Sequence, residues 1–278
     1  MKLHTIETGN FKLDGGAMFG VVPKVLWNKA YPADENNLCT WSMRSMLVQD
    51  RGRNILIDNG IGDTLDEKFL KHFYLHGDDS LEGSLQKLGL TRDDITDVVL
   101  THLHFDHCGG NVIREGGAYV PAFANATYRV SRDQYNWAIN PNAREKASYF
   151  RHMIQPVEAH GQLKLIDEEV ELFPGFRVKF FDGHTRGQVL PFITHNGRTF
   201  VYMADLLPAV AHIPLPWVMA YDMHPLVTLE EKEKFLGEAL EKDYILFFEH
   251  DLYNECCTLQ QTEKGIRVKD TFRLEDVV

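Results

Sequence analysis

The chain reads as an α+β protein with two β-sheets packed face to face and helices on the outside. Three observations predict this. Strand-like segments come in two successive blocks, helical segments are attached to each block, and no low-complexity linker or short repeat divides the 278 residues. In the first block the patterns predict strands over 2–8, 41–49 and 54–58, helices over 63–74 and 81–88, and a buried strand, Asp97-Val-Val-Leu100. A further strand is expected over 127–131, with helices over 132–139 and 143–153. The second block is predicted to hold strands over 163–167, 176–181, 189–194 and 198–203. His195-Asn-Gly197 joins the last two, and Asn-Gly is a strong hairpin signal. A charged helix over 229–240 and a buried strand over 244–248 complete it. Two segments stand apart, 10–37, rich in Gly, Phe and Trp, and 206–225, apolar but broken by Pro208, Pro214, Pro216 and Pro225. Both are expected to form pocket walls or an interface, the first serving a homodimer as readily as a substrate.

Bulk properties narrow the function. A hydrophobic fraction of 44% supplies a sizeable core. The net charge of -11, with 29 basic against 40 acidic residues, argues against a nucleic-acid partner, which needs a basic footprint. A small-molecule substrate, even an anionic one, remains compatible, because bound divalent cations reverse the local field. No stretch suits a membrane span and the N-terminus lacks the apolar core of a signal peptide, so a cytoplasmic protein without a membrane partner is expected. Cys39, Cys108, Cys256 and Cys257 show no pairing pattern and are read as reduced thiols.

The chemistry concentrates in Thr101-His-Leu-His-Phe-Asp-His-Cys-Gly-Gly110, where His102, His104, Asp106 and His107 crowd the end of a predicted strand. Imidazole and carboxylate are ligands for zinc and its neighbours. Gly109-Gly110 is expected to turn the chain sharply behind them. Three more titratable residues, His184, Asp205 and His250, each stand just past a predicted strand. One such residue means little; three downstream of a four-residue cluster suggest a shared site.

With these residues in hand, the chain resembles the metallo-β-lactamase-fold hydrolases. The likeness rests on the HxHxDH run from His102 to His107, the Gly183-His-Thr-Arg-Gly187 stretch, Asp205 and His250, and spans about residues 40 to 255. Within that superfamily it looks nearest to the lactonase-like and organophosphate-hydrolase-like branch. The resemblance implies one domain over 1–278, a four-layer αββα sandwich with two mixed sheets, and two divalent cations per chain, zinc first, with iron or manganese accepting the same donors. It implies that His102, His104 and His184 hold one cation, that Asp106, His107 and His250 hold the other, and that Asp205 bridges them. A hydroxide between the cations would then cleave an ester or lactone, such as an N-acyl homoserine lactone, with Asp106 as the catalytic carboxylate passing a proton to the leaving group. Phosphotriester, aryl-ester or thioester hydrolysis, or a mononuclear iron sulfur dioxygenase, are the alternatives within the fold. Asp58 stands where relatives have a carboxylate that orients a ligand imidazole.

Two departures bear on the substrate. Pro208 occupies the position where well-known acyl-homoserine lactonases carry a carbonyl-polarising tyrosine, which leaves Tyr221 or His212 to replace it. The usual second histidine of the GHTPGH motif is Gln188, and its proline is Arg186. Phe105, His212, Trp217 and Tyr221 are the candidate pocket residues.

Overall fold

A computed structural model describes residues 1–278 and places the strands in two mixed sheets and one separate hairpin. Along the first half run β1 (Lys2–Asp14), α1 (Gly15–Phe19), α2 (Lys24–Ala30), β2 (Leu38–Asp50), β3 (Arg53–Ile57), α3 (Glu67–Leu70), α4 (Leu81–Lys87), β4 (Asp97–Val99), α5 (Phe105–Cys108), β5 (Val112–Glu115), β6 (Ala118–Pro121) and β7 (Thr127–Ser131). Then follow α6 (Arg132–Ile139), α7 (Gln155–Ala159), β8 (Leu163–Ile166), β9 (Val170–Phe173), β10 (Phe176–Phe181), β11 (Gln188–His195), β12 (Arg198–Tyr202), α8 (Pro225–Glu241), β13 (Ile245–Phe247), β14 (Cys256–Thr262) and β15 (Gly265–Phe272). The chain divides into two units, one of Met1–Gly9, Met43–Glu169 and Gly187–Val189, the other of Asn10–Ser42, Val170–Arg186 and Leu190–Val278.

The six-stranded sheet has the order β1-β2-β3-β4-β7-β8, and its strands from β3 to β8 run parallel. Short parallel strands buried on both faces need continuous apolar side chains, and Leu56, Ile57, Val98, Val99 and Val130 are all buried. Ile57 pairs with Val99, so the chain leaves β3 and β4 side by side. This register brings Asp58 next to Thr101 and the histidines that follow it. Ligand sites favour such carboxyl ends of parallel strands.

The seven-stranded sheet has the order β15-β14-β13-β12-β11-β10-β9. One face of α8 buries Phe235, Leu236 and Ala239 against Phe192, Val201, Met203, Leu246 and Phe248. β12 and β13 are its parallel pair, with Tyr202 opposite Phe247. Asp205 and His250 lie equally far beyond those partners, so the same register argument sets them together. The β11–β12 hairpin turns through Asn196 and Gly197, both at positive φ as the Asn-Gly pair predicts.

Two predicted helices are corrected. Over 63–74 only Glu67–Leu70 is α-helical, because the Asp66 side chain caps Lys68 N–H and starts the helix late. Over 143–153 there are only two 3-10 turns, Lys146–Ser148 and Arg151–Met153. There the Asn142 side-chain Oδ1 accepts from the Arg144 and Glu145 amides and competes with the helix. The segment 10–37 is partly strand, since β1 runs on to Asp14, and partly α1 and α2. Within 206–225 the only regular element before α8 is a 3-10 turn, Val210–His212, yet Leu206, Leu207, Ala209, Ile213 and Met219 are buried. The four cysteines are unpaired and buried. No helix is long and apolar enough to cross a membrane.

Candidate metal centre

In the first unit, β4 ends and the chain turns through Leu100 into the short helix α5. Asp58 organises this turn: it accepts from Thr101 N–H at 2.8 Å, from Thr101 Oγ1–H at 2.7 Å and from His107 Nδ1–H at 3.1 Å. Because the Thr101 hydroxyl proton goes to Asp58, its oxygen is left to accept from His102 Nδ1–H at 3.0 Å. His104 Nε2–H donates to Glu145 at 2.9 Å. Each acceptor fixes one tautomer and leaves the opposite ring nitrogen with a bare lone pair. Two of those lone pairs, on His102 Nε2 and His104 Nδ1, face each other at 3.0 Å. Such neighbours repel unless a cation or proton stands between them. Asp106 Oδ2 lies 3.9 Å from His107 Nε2.

The second unit repeats the logic. His184 Nδ1–H donates to Asp222 at 2.9 Å, and His250 Nδ1–H to the Ser42 carbonyl at 2.8 Å. Their inner nitrogens meet the two oxygens of one carboxylate: Asp205 Oδ2 is 3.0 Å from His184 Nε2, and Oδ1 is 3.2 Å from His250 Nε2. Burial pushes His184 down, but the Asp205 and Asp222 carboxylates outweigh it and raise this imidazole to about 10. The spot draws positive charge strongly. Donors held about 2.0–2.2 Å from one tetrahedral zinc stand roughly 3.3 Å apart, which the His102–His104, His184–Asp205 and His250–Asp205 separations match, while Asp106 and His107 stand wider. In each unit the donors are imidazole and carboxylate, which divalent zinc, iron or manganese accept.

The family model of the metallo-beta-lactamase superfamily matches residues 44–250. The chain belongs to this superfamily. It is 26% identical to an N-acyl homoserine lactonase of Bacillus thuringiensis over 268 residues, which cover 91% of this chain and 94% of that protein. A crystal structure of a probable metal-dependent hydrolase from Staphylococcus aureus superposes with TM-score 0.90 at 33% identity, covering 100% of this chain and 98% of the other. AidC, a dizinc quorum-quenching lactonase in complex with a product, superposes with TM-score 0.80 at 22% identity over 97% and 94% of the two chains, a likeness of fold. The protein is a metal-dependent hydrolase with the metallo-β-lactamase fold.

In this superfamily member the glycines behind the histidines work through space rather than through turning. Gly109 has ordinary helical angles, φ -63 and ψ -32. A Cβ there would lie 2.0 Å from the Ile61 carbonyl oxygen, and one on Gly110 would lie 2.5 Å from that of Asn59. The expected sharp turn is thus replaced by close backbone packing. Gly109→Ala should destabilise the fold by about 3 kcal/mol, the upper end of overpacking effects, measured by urea unfolding. Backbone strain appears instead at Asp58 (φ 53) and Ala204 (φ 41), which redirect the chain at the two strand ends carrying the site.

The remaining expected residues are scattered in character. Phe105 is buried among Phe69, Phe73 and Phe150. His212 is buried and stacked on Phe19, and burial lowers its pKa to about 3. Its Nε2–H is given to the Met18 carbonyl at 2.8 Å, so Nδ1 is only an acceptor. Trp217 lines an open cavity of about 320 Å³ with Ile213, Tyr253 and Val268. Tyr221 and Arg186 are exposed, and Gln188 is buried. Cys108 is a buried filler whose thiol donates to the Leu103 carbonyl at 3.4 Å, with burial pushing its pKa up. The sequence named Asp58 as a partner of a site imidazole but not Glu145 or Asp222, which lie 41 and 38 residues from the imidazoles they hold. Glu145 lies in the turn that leads into Lys146–Ser148 and Asp222 in the irregular chain before α8, and neither follows a predicted strand.

Proposed function

We propose that this chain hydrolyses a lactone or carboxylic ester with two divalent cations, zinc foremost. His102, His104 and His184 would hold one cation, Asp106, His107 and His250 the other, and Asp205 would reach both. The observation that carries the reading is the Asp205 carboxylate, whose two oxygens each face the inner nitrogen of a different, externally anchored imidazole. Such a carboxylate is shaped to join two cations rather than to serve one. The sequence likeness to the Bacillus thuringiensis lactonase supports lactones as the substrate class.

The cations, when bound, would supply Lewis acidity toward the substrate carbonyl and a water-derived nucleophile at neutral pH. The chain's own groups do the rest. Asp58, Glu145 and Asp222 hold three of the ligand rings at fixed angles, so no reorganisation is needed as charge develops. Asp106, slightly more exposed than the histidines around it, orients the attacking water and returns a proton to the leaving oxygen. A donor toward the carbonyl oxygen cannot come from Pro208, nor from His212, whose one N–H is already given to Met18. We assign it to Tyr221, next to the Asp222 that anchors His184. Trp217 and its cavity neighbours receive the apolar part of the substrate.

Elemental analysis of protein purified without added metal, followed by a panel of long-chain lactones, aryl esters, phosphotriesters and thioesters, tests the reading. Two equivalents of metal and the highest kcat/KM on lactones are expected. One iron per chain with oxygen uptake on a persulfide, or no turnover of any lactone or ester by zinc-loaded protein, would overturn it.

A further inference from the structure

Lys232 is fully buried on α8. Its three N–H groups are all used on one short piece of chain. They donate to the carbonyls of Pro214 at 2.9 Å, Leu215 at 3.1 Å and Trp217 at 2.8 Å. Burying an ammonium is unfavourable, and burial here pushes it down to about 7 against the weaker opposing pull of the Asp222 carboxylate. An aliphatic side chain would avoid that penalty but leave three carbonyls without a donor.

The segment so clamped runs from Asp205 to Asp222, so both of its ends belong to the candidate site. Beyond Asp222 the same chain is stitched to the His184 loop itself. Met223 N–H donates to the His184 carbonyl, and His224 N–H to that of Gly183, both at 2.9 Å. α8 also grips that loop directly, since Glu231 accepts from the amides of Asp182 and Gly183. The clamp and the ligand loop therefore hang from adjacent residues of one helix.

We infer that Lys232 is a positioning residue for the metal centre: by pinning Pro214–Trp217 to α8 it fixes the span between Asp205 and Asp222, and through Asp222 the orientation of His184. This rests on reading Asp205 and His184 as ligands. Lys232 touches neither substrate nor cation, and a methionine at this position keeps the side-chain length while removing every donor.

The test is zinc affinity, measured by competition with a chromophoric chelator. Lys232→Met should bind zinc about tenfold more weakly, in the range typical of outer ligand supports, while Lys232→Arg, which keeps charge and donors, stays within about threefold of the parent. Phe235→Leu, a core change on the same helix chosen to lower Tm comparably, should leave zinc affinity unchanged. Coupling is reciprocal, so in the unmutated protein zinc should slow amide exchange in the segment 214–222 by a similar factor of about ten. This second measurement stands even if Lys232→Met does not fold. Zinc affinity in Lys232→Met equal to that of Phe235→Leu, or exchange in the segment indifferent to zinc, would overturn the inference. An unmutated protein that binds no zinc would instead remove the reading of the ligands.

Discussion

Asp205→Asn is expected to lower kcat/KM by about a thousandfold or more and to release metal, because it removes the one carboxylate proposed to join both cations. The same change should also weaken the metal-free fold near neutral pH, by about 1.5–3 kcal/mol, because it removes the carboxylate partner of a buried charged ring. In the metal-free parent His184 is raised to about 10, so at neutral pH its ring is protonated and Nε2–H donates to Asp205 at 3.0 Å. This stabilisation is fully present below the ordinary imidazole value and is lost as pH rises through about 10, so the stability gap between parent and Asp205→Asn should close at high pH. Activity within tenfold of the parent with full metal content would show that Asp205 does not join the cations. Metal content, kcat/KM and the Tm of chelator-treated protein make the comparison.

How much of this was legible beforehand depended on distance along the chain. His102, His104, Asp106 and His107 fall within one turn of backbone after a buried strand, so their grouping shows in the letters themselves. Asp205 and His250 were legible because parallel β12 and β13 are short apolar runs with a titratable residue at equal distance beyond each. Local periodicity failed where side chains capture the backbone. Asn142 and Asp66 both take amides that a continuing helix would need, and the predicted helices shrink to short turns. The strands β9, β14 and β15 were missed for a related reason. They carry mixed polar residues, and no residue of β15 is fully buried, so the alternation that marks a half-buried strand is weak. Glycine was read correctly as a constraint at Gly109 but with the wrong cause. Only the fold shows that the Ile61 backbone occupies the place of a side chain.

The groups no sequence pattern announced are the ones expected to tune the centre. Glu145→Gln should weaken zinc binding and kcat/KM by about 10- to 100-fold, the usual consequence of removing an outer carboxylate from a ligand histidine. Glu145 is buried and fully engaged. Oε1 accepts from His104 Nε2–H at 2.9 Å and Tyr149 O–H at 2.6 Å, while Oε2 accepts from Trp137 Nε1–H at 2.6 Å and Asn142 Nδ2–H at 3.3 Å. A glutamine has one oxygen for these four donors. Turning its oxygen to His104 sets its amide against Trp137, and the reverse sets it against His104. The fold should therefore lose about 1–3 kcal/mol as well, the penalty for a buried donor left unanswered. Asp222→Asn offers the contrast. Its ring partner is His184 Nδ1, at 2.9 Å, and an asparagine oxygen can still accept from it. Orientation then survives while the added basicity does not, so zinc affinity should fall nearer tenfold with Tm almost unchanged. If both variants bind zinc within twofold of the parent, these carboxylates shape the fold without tuning the ligands. If Asp222→Asn proves the more damaging for zinc, charge delivered to His184 outweighs ring geometry at His104.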